Sequence, residues 1–184
     1  MALKATVHKA ELQISDGDRH YYATHTLTLA QHPSETAGRL MVRLLAFACF
    51  ADPRLEFGRG LSSDDEPDLW LKSLDGQIEL WIDLGQPEEA RIRRACGRAR
   101  RVVVLGYSGR SFGLWWQKNA DKLQRLDNLD VWELPEGGEA RMSDLLQRGM
   151  RLQCLIQDQD MQWLDDSHDF SLQLIRHQQA KSAT

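Results

Sequence analysis

Cysteine is scarce in this chain of 184 residues. Cys49, Cys96 and Cys154 are odd in number, widely spaced and outside any CxxC pair. That pattern excludes a disulfide frame or a zinc knuckle and fits reduced thiols. No run approaches the ~18 apolar residues that a membrane helix needs. The first dozen residues, MALKATVHKAEL, hold no apolar signal region. The expectation is a cytoplasmic protein with no membrane partner. Basic charge is not in excess either. The net charge is −4, so no global field draws the protein to nucleic acid. His8, His20, His25, His32, His168 and His177 show no HxH or HxxxH spacing and read as structural or surface residues. The stretch Gly106–Ser111, GYSGRS, matches neither GxxxxGK[ST] nor GxSxG. A phosphate-cradling loop and a hydrolase elbow are thus unsupported.

What is present is globular in kind. Hydrophobic residues make up 42% and charged residues 27%, which at this length predicts one domain over residues 1–184, expected as a monomer. The charges are sorted along the chain. Residues 64–68 read Asp-Asp-Glu-Pro-Asp, and residues 91–101 hold Arg91, Arg93, Arg94, Arg98, Arg100 and Arg101. Either a metal site adjoins a phosphate-binding face, or two solvated surfaces lie apart.

Periodicity predicts a hairpin over residues 3–30, turning at 15–18. A helix follows, with Ser34 as N-cap and Glu35 in its first turn. Leu40, Met41, Leu44, Leu45 and Ala48 form its apolar face, and Asp52-Pro53 ends it. Strands are expected at 54–57, 68–72 and 77–84. Pro87 opens a second helix whose stripe is Ile92, Ala95, Cys96 and Ala99. Val102–Leu105 reads as a strand covered on both faces. A helix near 114–125, a strand at 131–134 and a loop at 136–139 come next. A second hairpin (152–156 with 170–176) and a frayed tail (178–184) complete the chain. The middle of the chain thus runs helix, three strands, helix, strand.

The sharpest local signal is the hairpin DLWLKSLDGQIELWIDLGQ at 68–86. A two-residue Asp75-Gly76 turn would pair Leu74 with Gln77, Lys72 with Glu79, Trp70 with Trp81 and Asp68 with Asp83. Leu69, Leu71, Ile78, Leu80 and Ile82 then share an apolar face. Directly opposed aspartates repel. A divalent cation, Mg²⁺ or Mn²⁺, would reverse that sign; the alternative is a solvated sheet end.

The chain resembles the bacterial YaeQ family nearly end to end. The resemblance is carried by MALKAT at 1–6, LTLAQHPSET at 27–36, DDEPDLW at 64–70, ELWIDLGQP at 79–87 and the arginine-rich segment that follows. It implies an α/β fold with a mixed central sheet of the αβββαβ PD-(D/E)xK nuclease-like type. The core would span 34–107, extended by the N- and C-terminal hairpins. Pro67-Asp68 matches the PD half. Asp83 matches the acidic residue of the second half, with the Leu84 carbonyl as a further metal ligand, and Glu35 matches an added helical carboxylate. The match fails two residues after Asp83, where Gly85 stands in place of lysine. That lysine would supply a large electrostatic contribution to phosphoryl transfer, ~10²–10³-fold by analogy with oxyanion donors. Gln86 would hold a water without deprotonating it. Arg91, Arg94, Arg98 and Lys72 are the candidate phosphate contacts, since arginine clamps phosphate well but is a poor base. Two readings follow. One is a divergent metal-dependent nuclease. The other is a nuclease-derived module that binds nucleic acid or a protein without cutting.

Overall fold

A computed structural model describes residues 4–59 and 64–181. The elements are, in order, β1 (Thr6–Asp16), β2 (Tyr21–Gln31), α1 (Ala37–Cys49), β3 (Leu55–Phe57), β4 (Leu69–Lys72), β5 (Ile78–Leu84), α2 (Glu89–Arg98) and β6 (Ala99–Gly106). They continue with α3 (Arg110–Leu123), β7 (Leu129–Glu133), α4 (Gly138–Asp144), β8 (Gly149–Gln157), β9 (Asp160–Leu164), β10 (Asp169–Gln173) and β11 (Ile175–Gln178). The order α1-β3-β4-β5-α2-β6 is the one read from the sequence. The described residues form two mixed sheets and four helices, gathered into two compact units.

The first unit holds residues 1–51 and 138–174. Its sheet has the order β10-β9-β8-β1-β2. β1 and β2 pair antiparallel without a break from Thr6↔Gln31 to Asp16↔Tyr21. β1 also pairs parallel to β8, from Lys9↔Gly149 to Asp16↔Ile156. The terminal hairpins therefore do not extend a central sheet, as expected, but build a separate one with each other. The physical basis is matched alternation. Ala10, Leu12 and Ile14 on β1 and Met150, Leu152, Cys154 and Ile156 on β8 turn to one buried side.

Three further expectations are corrected in this unit. Thr36, not Ser34, caps α1: its hydroxyl accepts from the Arg39 N–H at 3.1 Å. Ser34 instead turns its hydroxyl to His32 Nδ1 at 2.7 Å, so Glu35 precedes the helix rather than sitting in its first turn. Residues 138–144 form α4, in place of the loop expected through 139, the chain turning at Gly137 with φ +87°. The expected closing hairpin is a three-strand meander, because Asp158 and Gln159 turn β8 into β9 with positive φ.

The second unit holds residues 52–137 and 175–184. Its sheet has the order β11-β7-β6-β5-β4-β3. β5, β6 and β7 are parallel and the outer pairs antiparallel. Val102–Leu105 are at most 1% exposed, as a strand covered on both faces requires. Ile92 and Ala95 of α2 and Phe112 and Leu123 of α3 pack into one core with Trp81, Val102, Val104 and Leu129. Gly106 admits Phe112: a Cβ there would lie 1.9 Å from its ring. Of the tail expected to fray (178–184), Gln178 is the last residue of β11 and the Ala180 N–H bonds Asp130 Oδ1 at 3.1 Å, while the last three residues lie outside the described ones, as do the first three of the chain.

Candidate functional site

The site is built on the β4–β5 hairpin. Trp70↔Trp81 pair as expected, with their rings edge to face at 6.2 Å. The turn differs. Ser73 N–H bonds Gln77 O at 2.9 Å, Gly76 N–H bonds Ser73 O at 3.0 Å, and only Gly76 has positive φ. That is a three-residue loop, Leu74-Asp75-Gly76, ending in a left-handed glycine. Lys72 consequently faces Ile78, not Glu79, across a register shift. Glu79 pairs with Arg54 instead, at 3.2 Å. Lys72 Nζ stands 3.5 Å over the Trp70 ring. The shift lies on the turn side of the tryptophans, so it leaves the Asp68 end of the hairpin unmoved.

At that end the paired register stops at Leu69↔Ile82, and Asp68 N–H bonds Ile82 O at 3.0 Å, one residue short of the expected partner Asp83. Both aspartates are buried, at 8% and 2% exposed. The Asp68 carboxylate accepts the Leu84 N–H at 2.8 Å. Asp83 is held by Arg91 from the first turn of α2. Arg91 Nε donates to Oδ2 at 2.9 Å and Nη2 to Oδ1 at 3.1 Å. Arg91 also donates to the carbonyls of Asp64 at 2.7 Å and Glu66 at 2.8 Å. Arg98 reaches the Asp65 carbonyl at 3.1 Å. The acidic and basic runs are thus not two surfaces lying apart. They pack on each other, and backbone oxygens of the acidic run take the arginine donors.

Burial pushes the Asp83 carboxyl above the ordinary aspartate value; Arg91 pulls it back, and the nearby Asp68 charge adds to the rise. The buried indole N–H of Trp81 lacks a partner of good geometry, yet it also helps to hold the Asp83 charge. Arg91 and Arg98 stand over the Trp81 ring at 5.7 and 5.1 Å. Burial lowers the proton affinity of Arg91, but Asp83, Asp68 and Asp64 outweigh it, and the guanidinium stays charged.

The remaining candidates fall as follows. Gln86 is exposed and exchanges hydrogen bonds with Ser111 at 2.9 and 3.3 Å. Arg94 is exposed on α2. Leu84 meets Asp68 through its N–H. Glu35 belongs to the first unit. Arg43, 4% exposed, donates Nε and Nη2 to its two carboxylate oxygens at 2.9 Å each, and Arg39 adds a third contact at 3.2 Å. Sequence reasoning missed both carboxylate clamps. The Arg91 clamp had a signal: residue 91 sits one turn before Ala95 on the buried stripe, so its stem points toward the sheet. Among the described residues no group of three or more His, Cys, Asp or Glu is gathered for a metal, and no helix is long and apolar enough to cross a membrane.

Fold and site together define an α/β protein with two mixed sheets and two buried aspartates, of which Asp83 is clamped by an arginine. The chain belongs to the YaeQ family, whose model, described as YaeQ protein, matches residues 1–174. It is 46% identical over 180 residues to YaeQ of Salmonella typhi, covering 97% of this chain and 99% of that one. It is 45% identical over 179 residues to YaeQ of Escherichia coli K12, with the same coverage. The crystal structure of YaeQ from Xanthomonas axonopodis pv. citri superposes with a TM-score of 0.92 at 57% identity, over 95% of this chain and 98% of that one. That of YaeQ from Pseudomonas syringae gives 0.89 at 33% identity, over 97% and 98%.

Proposed function

We propose that this chain is a nuclease-derived module that binds nucleic acid through the arginine face of α2 and does not cleave it. The observation that carries the reading is the bidentate Arg91–Asp83 pair. In a PD-(D/E)xK site Asp68, Asp83 and the Leu84 carbonyl would hold Mg²⁺ or Mn²⁺. Here both oxygens of Asp83 already face a guanidinium, and Asp68 accepts the Leu84 N–H. Residues so arranged do not fit a divalent ion unless Arg91 leaves. The lysine position is Gly85, whose φ of +87° disfavours any side chain. Arg94 and Arg98 remain exposed on α2 to meet phosphate.

Cleavage is the second reading. It is favoured by one observation: Asp68 and Asp83 are both buried at the same end of the hairpin, with Asp68 accepting the N–H of the residue after Asp83. One set of measurements separates the two. Fluorescence anisotropy with labelled single- and double-stranded DNA and RNA should give binding that weakens with salt. Arg94→Glu/Arg98→Glu should abolish it. Incubation with Mg²⁺ or Mn²⁺ should give no cleavage that Asp83→Ala removes. Metal-dependent cleavage lost in Asp83→Ala would establish the nuclease instead. Absence of binding to every nucleic acid form would sink both.

A further inference from the structure

Strand β2 ends the sheet of the first unit with an unguarded edge. Natural edge strands are kept short, charged or bulged so that they do not pair with another chain. The other three edges follow this rule: β3 has three residues, β11 carries Arg176 and a register shift, and β10 opens on Asp169. β2 is eleven residues long, YYATHTLTLAQ, with no Asp, Glu, Lys, Arg or Pro. Its pairing to β1 has no bulge.

The backbone groups at this edge can be assigned. Lys9 N–H bonds Arg148 O and Gly17 N–H bonds Ile156 O, so the odd residues of β1 turn their backbone toward β8. The even ones face β2 and, through Ala10↔Leu27 and Leu12↔His25, close their ladder with odd residues there. Tyr22, Thr24, Thr26, Thr28 and Ala30 therefore direct N–H and C=O outward. Arg43 Nη2 takes the Ala30 carbonyl at 2.8 Å, which closes that end. The open run is 22–28. Along it the inner face is incompletely covered: Tyr21, Ala23, His25 and Leu27 are only half-buried, whereas Ala10, Leu12 and Ile14 on β1 are at most 1% exposed.

We propose that this edge pairs with the same edge of a second copy of the chain, antiparallel about a two-fold axis at His25. Centring there uses the open run and no more. Tyr22 then faces Thr28, and Thr24 faces Thr26, of the second copy, as hydrogen-bonded pairs. A centre at Thr26 would instead call on Ala30, whose carbonyl is engaged. A two-fold axis brings each residue type against its own strand, so any charge within the run would meet a like charge nearby; the run carries none. Facing threonines form a favourable cross-strand pair, and the added strand covers the half-buried inner residues.

Sedimentation velocity of the full chain over a wide concentration range tests this. The wild type should show a reversible monomer–dimer equilibrium. Thr24→Lys/Thr26→Lys sets four cations together and should weaken dimerisation by about tenfold or more. Thr24→Lys/Thr26→Glu sets opposite charges face to face across the axis and should restore it. Circular dichroism verifies that each variant is folded. A wild type that stays monomeric, or a dimer that both double variants leave unchanged, overturns the proposal.

Discussion

Arg91 grips both carboxylate oxygens of Asp83 from one turn into α2, at 2.9 and 3.1 Å. The same side chain holds the backbone of the acidic segment through Asp64 and Glu66. Removing it leaves a buried carboxylate without its partner, a change that destabilises strongly. Arg91→Ala should lower unfolding free energy by about 3 kcal/mol, less than a fully dry pair because Arg91 is partly exposed. Urea titration measures the loss. Asp83→Asn/Arg91→Leu should recover part of it, since both partners are then neutral.

The raised Asp83 carboxyl sets a pH dependence of defined sign. The folded protein keeps this proton at pH values where the unfolded chain, near ~3.9, has released it. The stability so contributed is full below the unfolded value and is lost as pH rises through the folded value. Asp83→Asn removes the effect. The stability of wild type relative to that variant should fall with rising pH above about 4 and then level off. A difference that rises with pH would show the shift to run the other way.

Restoring the motif lysine should not restore a nuclease. Gly85 has φ +87°, and a Cβ added there would lie 3.9 Å from the Tyr107 ring, its nearest contact among the described residues. There is room, but the backbone is in a left-handed region that costs an L-residue about 1–2 kcal/mol. Gly85→Lys should therefore lower the unfolding free energy by that amount and produce no Mg²⁺-dependent cleavage. Turnover in this variant would show that the glycine alone silences the site.

Glu35 offers a parallel test of a residue read as catalytic. Its carboxylate neutralises Arg43, which is 4% exposed. Glu35→Gln should destabilise by about 3 kcal/mol, read as a shift in the urea midpoint. A fold as stable as wild type would return Glu35 to the list of reactive groups.

The sequence made the local elements legible and left the distant ones hidden. Trp70↔Trp81 and Leu69↔Ile82 follow from alternation, and they keep that register although the turn differs because the extra residue lies on the turn side of the tryptophans. The helix stripe of Ile92 and Ala95 was equally plain. The β1–β8 pairing was not, since strands about 140 residues apart leave no local signature. Nor was the partner of Asp83. The stripe through Ala95 turns Arg91 toward the sheet, but only the packed sheet shows that the carboxylate it meets is Asp83.

That parallel pairing also fixes an order of events. β1 leaves the ribosome early, but the strand that flanks it, β8, is made only after the whole middle of the chain. Until then β1 has one neighbour, and the sheet that buries Leu12 and Ile14 cannot close. Long-range parallel pairing is slow, and domains generally fold as units during synthesis. The β5–β7 region is therefore expected to gain structure first and the first unit last, so slow refolding should be reported by Trp163 on β9 rather than by Trp81 on β5.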